Sequence, residues 1–99
     1  MPDTNDGFIG RHVIVRTYSA GVHFGLLVKR DGKECVLNDA RRIWEWRGAF
    51  TLSAVAMEGI KSGRISAVVP LILLTEAIEI IPCSTVAIDN ISGMAAHKP

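Results

Sequence analysis

The sequence predicts an α+β domain: a small, mostly antiparallel β-sheet of five to six strands with one or two short helices, assembled as an oligomer. Three observations predict it. Residues 12–38 hold β-branched and alternating apolar runs separated by the turn signals Ser19-Ala20-Gly21 and Asp31-Gly32, the pattern of consecutive hairpins. Residues 51–62 change from a two-residue to a helical period. Finally, 48% of a 99-residue chain is apolar, with a mean hydropathy of +0.28. A domain this small hides too little surface by itself, and such an excess goes into a subunit interface.

The elements follow in order. Residues 1–10 are polar and punctuated by Gly and Pro, a loose arm ahead of a single domain over 11–92, and 93–99 form a loose tail. Val13-Ile14-Val15 marks a strand from His12 to Tyr18. Val22 to Arg30 is the second, with Val22, Phe24, Leu26 and Val28 on one face. Lys33 to Asn38 returns as the third, after a turn whose glycine accepts positive φ. Thr51 to Ser62 is a helix with Leu52, Val55, Ala56 and Gly59 on one face, Thr51 as N-cap and Gly63 as terminator. Arg64 to Val69 is a short strand. Between Pro70 and Ile81 the residues Ile72, Leu74, Ile78 and Ile80 alternate as a strand does, and Thr75-Glu76-Ala77 could bend it. Ser84 caps a short helix through Ile91, with Val86, Ile88 and Ile91 partly buried.

Charge and cysteine usage narrow the function. Eleven basic and ten acidic residues leave a net charge of +1, which is no footprint for duplex nucleic acid. A small anionic ligand needs only a pair of arginines and stays open. Cys35 and Cys83 fit no CxxC or HxxxH metal spacing and read as reduced, partly buried thiols. With no signal peptide expected at the N-terminus, such thiols point to a cytoplasm; no apolar run approaches the ~20 residues of a membrane span. No cofactor or metal is expected.

The most unusual segment is Arg41-Arg42-Ile43-Trp44-Glu45-Trp46-Arg47. On a regular strand Arg42, Trp44 and Trp46 point one way, and Arg41, Ile43, Glu45 and Arg47 the other. One face would then offer a guanidinium, which pairs with phosphate or carboxylate, beside indoles that stack on a base or cation. The plainer reading makes the tryptophans core anchors with arginine stems packed on them. A second candidate is the turn from Tyr18 to Gly25, where Tyr18, Ser19 and His23 carry hydrogen-bonding tips beside Phe24; its plainer reading is a hairpin with a half-exposed histidine. No catalytic set can be assembled: His12, His23 and His97 are scattered, and Glu76 and Glu79 share a face only on a helix.

VIVRTYSAGVHFGLL, GKECVLNDARRIWEWRGAFTL and ILLTEAIEIIPC resemble, block by block, a family of small, mostly uncharacterised proteins of tailed phages and prophages. The similarity covers roughly Val13 to Cys83, and its most specific parts are Ala40 to Ala49 and Leu73 to Ile80. The resemblance implies a phage origin and action in the host cytoplasm, and it supplies no reaction. At the level of class the chain is similar to oligomeric phage anti-defence sponges that hold nucleotide-derived signals between subunits. On that analogy Arg41 or Arg42 would take phosphates and Trp44 or Trp46 would stack on a base. The segment from Tyr18 through Ser19 and His23 to Phe24 would close the pocket. The alternative is a phage assembly or accessory protein with no small ligand.

Overall fold

The computed structural model describes residues 7–96. Its elements are β1 (His12–Thr17), β2 (Val22–Asp31), β3 (Glu34–Arg47), α1 (Leu52–Glu58), β4 (Ser62–Ile65), β5 (Val69–Leu74), β6 (Ala77–Pro82) and α2 (Thr85–Ser92). All pairings are antiparallel. The six strands run in the order β4-β3-β2-β1-β6, and β5 pairs with the N-terminal half of β3. Because β5 and β6 are consecutive yet sit on opposite borders, the sheet curls on itself. The turn between them closes the curl: Tyr18 N donates to Glu76 O, and Ala77 N donates to Lys33 O.

A curled sheet has two faces to fill, and this one fills both. Val13, Val15, Leu27, Cys35, Leu37, Ala40 and Leu74 cluster on one side without any helix. Ile14, Phe24, Ile43 and Ile65 cluster on the other, under Val55 and Ala56 of α1 and Ala87 and Ile91 of α2. Val13, Ile14 and Val15 are therefore all buried, as expected of a β-branched run in the middle of a two-sided sheet.

The three-stranded meander and both caps lie where the sequence puts them: Thr51 accepts from Ala54 N and Ser84 from Ala87 N. Several boundaries differ. The first helix ends at Glu58, not Ser62, because Gly59 adopts φ 79 as its C-cap instead of joining its apolar face. That frees residues 62–65 for β4, so the single strand expected over 64–69 becomes β4 and the start of β5. The Pro70–Ile81 stretch is two strands, bent at Thr75-Glu76. In β2, a register shift between Leu27 and Lys29 breaks the expected Val22/Phe24/Leu26/Val28 face, leaving Val28 exposed. On α2, Val86 is exposed, not partly buried, while Ile91 is fully buried.

The ends of the domain also differ from the arm and tail that composition suggests. Phe8 packs against the strand-only cluster, and Gly10 N donates to Leu27 O. Met94 packs against the helix-side cluster, with its amide on Ile91 O. Residues 1–6 and 97–99 of the expected arm and tail, including His97, lie outside the described residues. Among the described residues no helix is long and apolar enough to cross a membrane.

Candidate functional site

The Arg/Trp segment is the C-terminal half of β3, a fourteen-residue strand, and two bulges decide where its side chains go. At the first, Asp39 takes φ 50, and the register against β2 slips between Phe24 and Leu26. Gly25 faces this point. A Cβ there would press on Asn38 O, Leu37 Cβ and Ala40 Cα at 3.1–3.2 Å, so only glycine lets the strands approach so closely. At the second, the register against β4 slips between Ile43 and Glu45, with Trp44 as the extra residue. Strict alternation fails across it. Trp46 packs against the same cluster as Ile43, while Trp44 is 55% exposed. The expected Arg42/Trp44/Trp46 face therefore does not exist; an inserted residue reverses parity.

Arg41 is a structural cation. It is only 3% exposed, and its Nε donates to Ser66 O (2.7 Å) and its Nη1 to Ile91 O (2.8 Å). The second acceptor belongs to the last turn of α2, where the helix dipole favours positive charge. Burial pulls its pKa below the ordinary guanidinium value. Its bonds tie β3 to the loop after β4 and to the C-terminus of α2, and they leave it committed to the fold.

Arg42 is exposed, and its amide donates to Ser66 Oγ at 2.8 Å. Its side-chain Nε makes a long 3.5 Å contact to His23 Nε2. That contact places the imidazole proton on Nδ1, which is buried and has no hydrogen-bond partner among the described residues. His23 is 1% exposed, not half-exposed. Burial first, and Arg42 second, push its pKa down to about 4, so it is neutral at pH 7 and offers no charge to an anion.

The other expected site residues separate. Phe24 is core and stacks on His12, ring centroids 5.5 Å apart. Tyr18 is exposed beside Lys33, Glu76 and Ile78, and Ser19 Oγ donates to Glu76 Oε1 at 3.2 Å. Trp46 is half-buried, its indole N–H on Ala49 O at 3.2 Å. The eight residues do not line one cavity within a subunit.

What sequence reasoning passed over lies at the end of the same strand. A cleft of about 610 Å³ is walled by Arg47, Gly48, Ala49, Phe50, Ala54 and Glu58, a size suited to a small ligand. Phe50 is fully exposed on its rim. Gly48 has φ 97, and the Lys61 stem lies against it. The sequence signal was present as Arg-Gly-Ala-Phe after the strand, but nothing in strand parity shows that a following loop leaves a phenyl ring bare. Among the described residues no group of three His, Cys, Asp or Glu side chains converges to hold a metal.

One family model matches residues 10–91, most of the chain. The chain belongs to that family, described as a domain of unknown function (DUF6948). The DUF6948 match takes in all eight elements except the last residue of α2, and so includes both bulges, Arg41 and the cleft. No curated protein and no solved structure matches the chain.

Proposed function

We propose that this DUF6948 protein is a binding module that captures a small anionic, ring-bearing ligand of nucleotide type without cleaving it. The observation that carries the reading is the cleft beyond the Arg/Trp strand, where Arg47 lies in the wall beside a fully exposed Phe50. A guanidinium takes phosphate oxygens, and a bare phenyl ring stacks on a base. The resemblance to tailed-phage proteins supports the narrower form of the proposal. There the ligand is a nucleotide-derived immune signal, of cyclic nucleotide or cyclic ADP-ribose type, sequestered in the host cytoplasm.

The test is thermal stabilisation by a panel of cyclic nucleotides and ADP-ribose derivatives, followed by recovery of ligand from heated protein. At a hundred times Kd a ligand adds about 2.7 kcal/mol, a rise of roughly 10 °C or more in a domain this small. The intact compound should be recovered, and Arg47→Ala and Phe50→Ala should each remove the rise while leaving the unliganded Tm unchanged. A panel without a single stabilising compound sinks the reading, as does a rise that both variants retain. A second reading, an interaction protein with no small ligand, is favoured by the bare apolar strand face of β5. It predicts that the panel fails.

A further inference from the structure

The arginines near the Trp44 bulge are held in different ways. Arg41 is spent on two backbone carbonyls, and Arg64 meets the Glu45 carboxylate at 3.5 Å. Arg42 keeps its full charge. Its backbone is pinned from both sides by Ser66, whose Oγ accepts the Arg42 amide at 2.8 Å and whose own amide donates to Arg42 O at 2.9 Å. Its Nε is turned onto the buried imidazole of His23 at 3.5 Å. Among the described residues, Nη1 and Nη2 meet no acceptor, and no carboxylate pairs with this guanidinium.

The partner is costly to the fold. His23 Nδ1 carries its proton in the interior with no acceptor, whereas a phenyl ring at this position would leave no donor unmet. The imidazole also stays neutral, because burial and the nearby guanidinium both oppose a second proton. A neutral acceptor orients a guanidinium without cancelling its charge, as a carboxylate would. A buried polar group left unsatisfied beneath an exposed cation marks a place where local stability is given up for a site.

We infer that Arg42, held in place by His23, binds the phosphate group of a small phosphorylated ligand at a site separate from the cleft. With Nε taken, the guanidinium offers its end-on pair, Nη1 and Nη2, and two parallel N–H donors match two oxygens of one phosphate. A carboxylate has similar spacing but less charge, so the phosphate dianion is favoured. The pinned backbone and Nε mean that less side-chain freedom is lost on binding than at an ordinary surface arginine. One fork in open solvent still gives only millimolar affinity, enough to anchor one group of a larger molecule. Arg47 stands five residues further along β3, about 16 Å by strand rise, which separates the two sites.

An NMR titration of the full chain with inorganic phosphate, at about pH 7.5 and fixed ionic strength, tests it. The expected result is a saturable shift of the Arg42 amide and of the His23 Nε2 nitrogen, with a millimolar Kd and at least about fivefold weaker binding of acetate. Arg42→Ala should abolish the saturable shift. Arg42→Lys keeps the charge but has no fork and no Nε to rest on His23, so it should bind at least about fivefold more weakly. His23→Phe should bind about five- to tenfold more weakly through loss of the one bond that aims the fork. The Arg42 variants, at an exposed position, should keep the wild-type circular dichroism, and they decide the matter if His23→Phe does not fold. Binding as tight as wild type in Arg42→Lys or in a folded His23→Phe overturns the inference. So does an equal Kd for acetate, or an unsaturating response that Arg42→Ala shares. Arg47→Ala should leave the Arg42 titration unaltered, so this inference and the cleft reading fail separately.

Discussion

Replacing Arg41 by methionine removes a buried guanidinium while keeping most of its aliphatic volume, so the change isolates the two hydrogen bonds. Bonds donated by a charged group contribute about 1.5–3 kcal/mol each. Ile91 O keeps the Met94 amide at 3.3 Å, so its loss falls at the low end. Ser66 O loses its 2.7 Å partner. Relief of the desolvation that lowers the Arg41 pKa offsets part of the sum. The net is a loss of about 3 kcal/mol, against a total of roughly 5–15 kcal/mol for a domain of this size. Urea denaturation followed by tryptophan fluorescence reads it directly, as a midpoint lower by about 1.5 M at unchanged slope. Thermal melts should fall by about 15 °C. Arg42→Ala, at an exposed position, should cost under about 1 kcal/mol. An Arg41→Met protein within about 1 kcal/mol of wild type would refute the structural assignment and return Arg41 to the pool of ligand groups.

The buried His23 makes stability depend on pH. Its folded pKa lies near 4 against an ordinary 6.5, so between those values the unfolded chain binds the extra proton. Stability is full above pH 6.5 and falls as pH drops toward 4, by up to about 3 kcal/mol. Urea melts at steps of pH check this, and a slope in His23→Gln as steep as that of wild type would contradict it. Gly63→Ala sets a methyl onto the Glu45 carbonyl oxygen and against Trp46 Cα, and β4 must move; a cost of about 1–3 kcal/mol is expected in the same melts. Gly32→Ala meets nothing within 4 Å but keeps φ +59, so it should cost only about 1 kcal/mol. Cys35 and Cys83 are both buried and free, and burial pushes the Cys83 thiol up to about 12. A thiol reagent at pH 8 should react slowly with native protein and at once in denaturant, and fast native labelling would count against the packing described.

The fold was legible wherever a local rule was enough. A β-branched run, an Asp-Gly turn and two Ser/Thr caps act through their own neighbours, and the meander and helix starts follow from them. The helix end was harder, because Gly59 and Gly63 are equally good terminators by composition. The choice falls to Gly59 through tertiary contacts: Ile60 N donates to Asn90 Oδ1 of α2 at 2.8 Å, and a Cβ on Gly59 would strike the same side chain. Phe8 and Met94 were hidden for a similar reason. A polar, Gly-rich context marks a mobile terminus only until one apolar residue finds a core to join.

The site was less legible because its logic is two-periodic and β3 is not. Two residues inserted relative to neighbouring strands, one near Asp39 and one at Trp44, alter the parity of everything after them. The first carries Arg41 and Ile43 together to the face under the helices, and the second turns Trp46 to the core and leaves Trp44 outside. No property of Trp44 itself announces a bulge, since that depends on the shorter partner β4 and on Gly63 approaching the Glu45 carbonyl. The strand spends its first arginine on holding α2 and hands its last, Arg47, to the cleft with Phe50. If that division is right, Arg41 variants should lose stability and Arg47 variants should lose ligand. A single residue that costs both would mean that the cleft is shaped by α2 packing and is not a separate site.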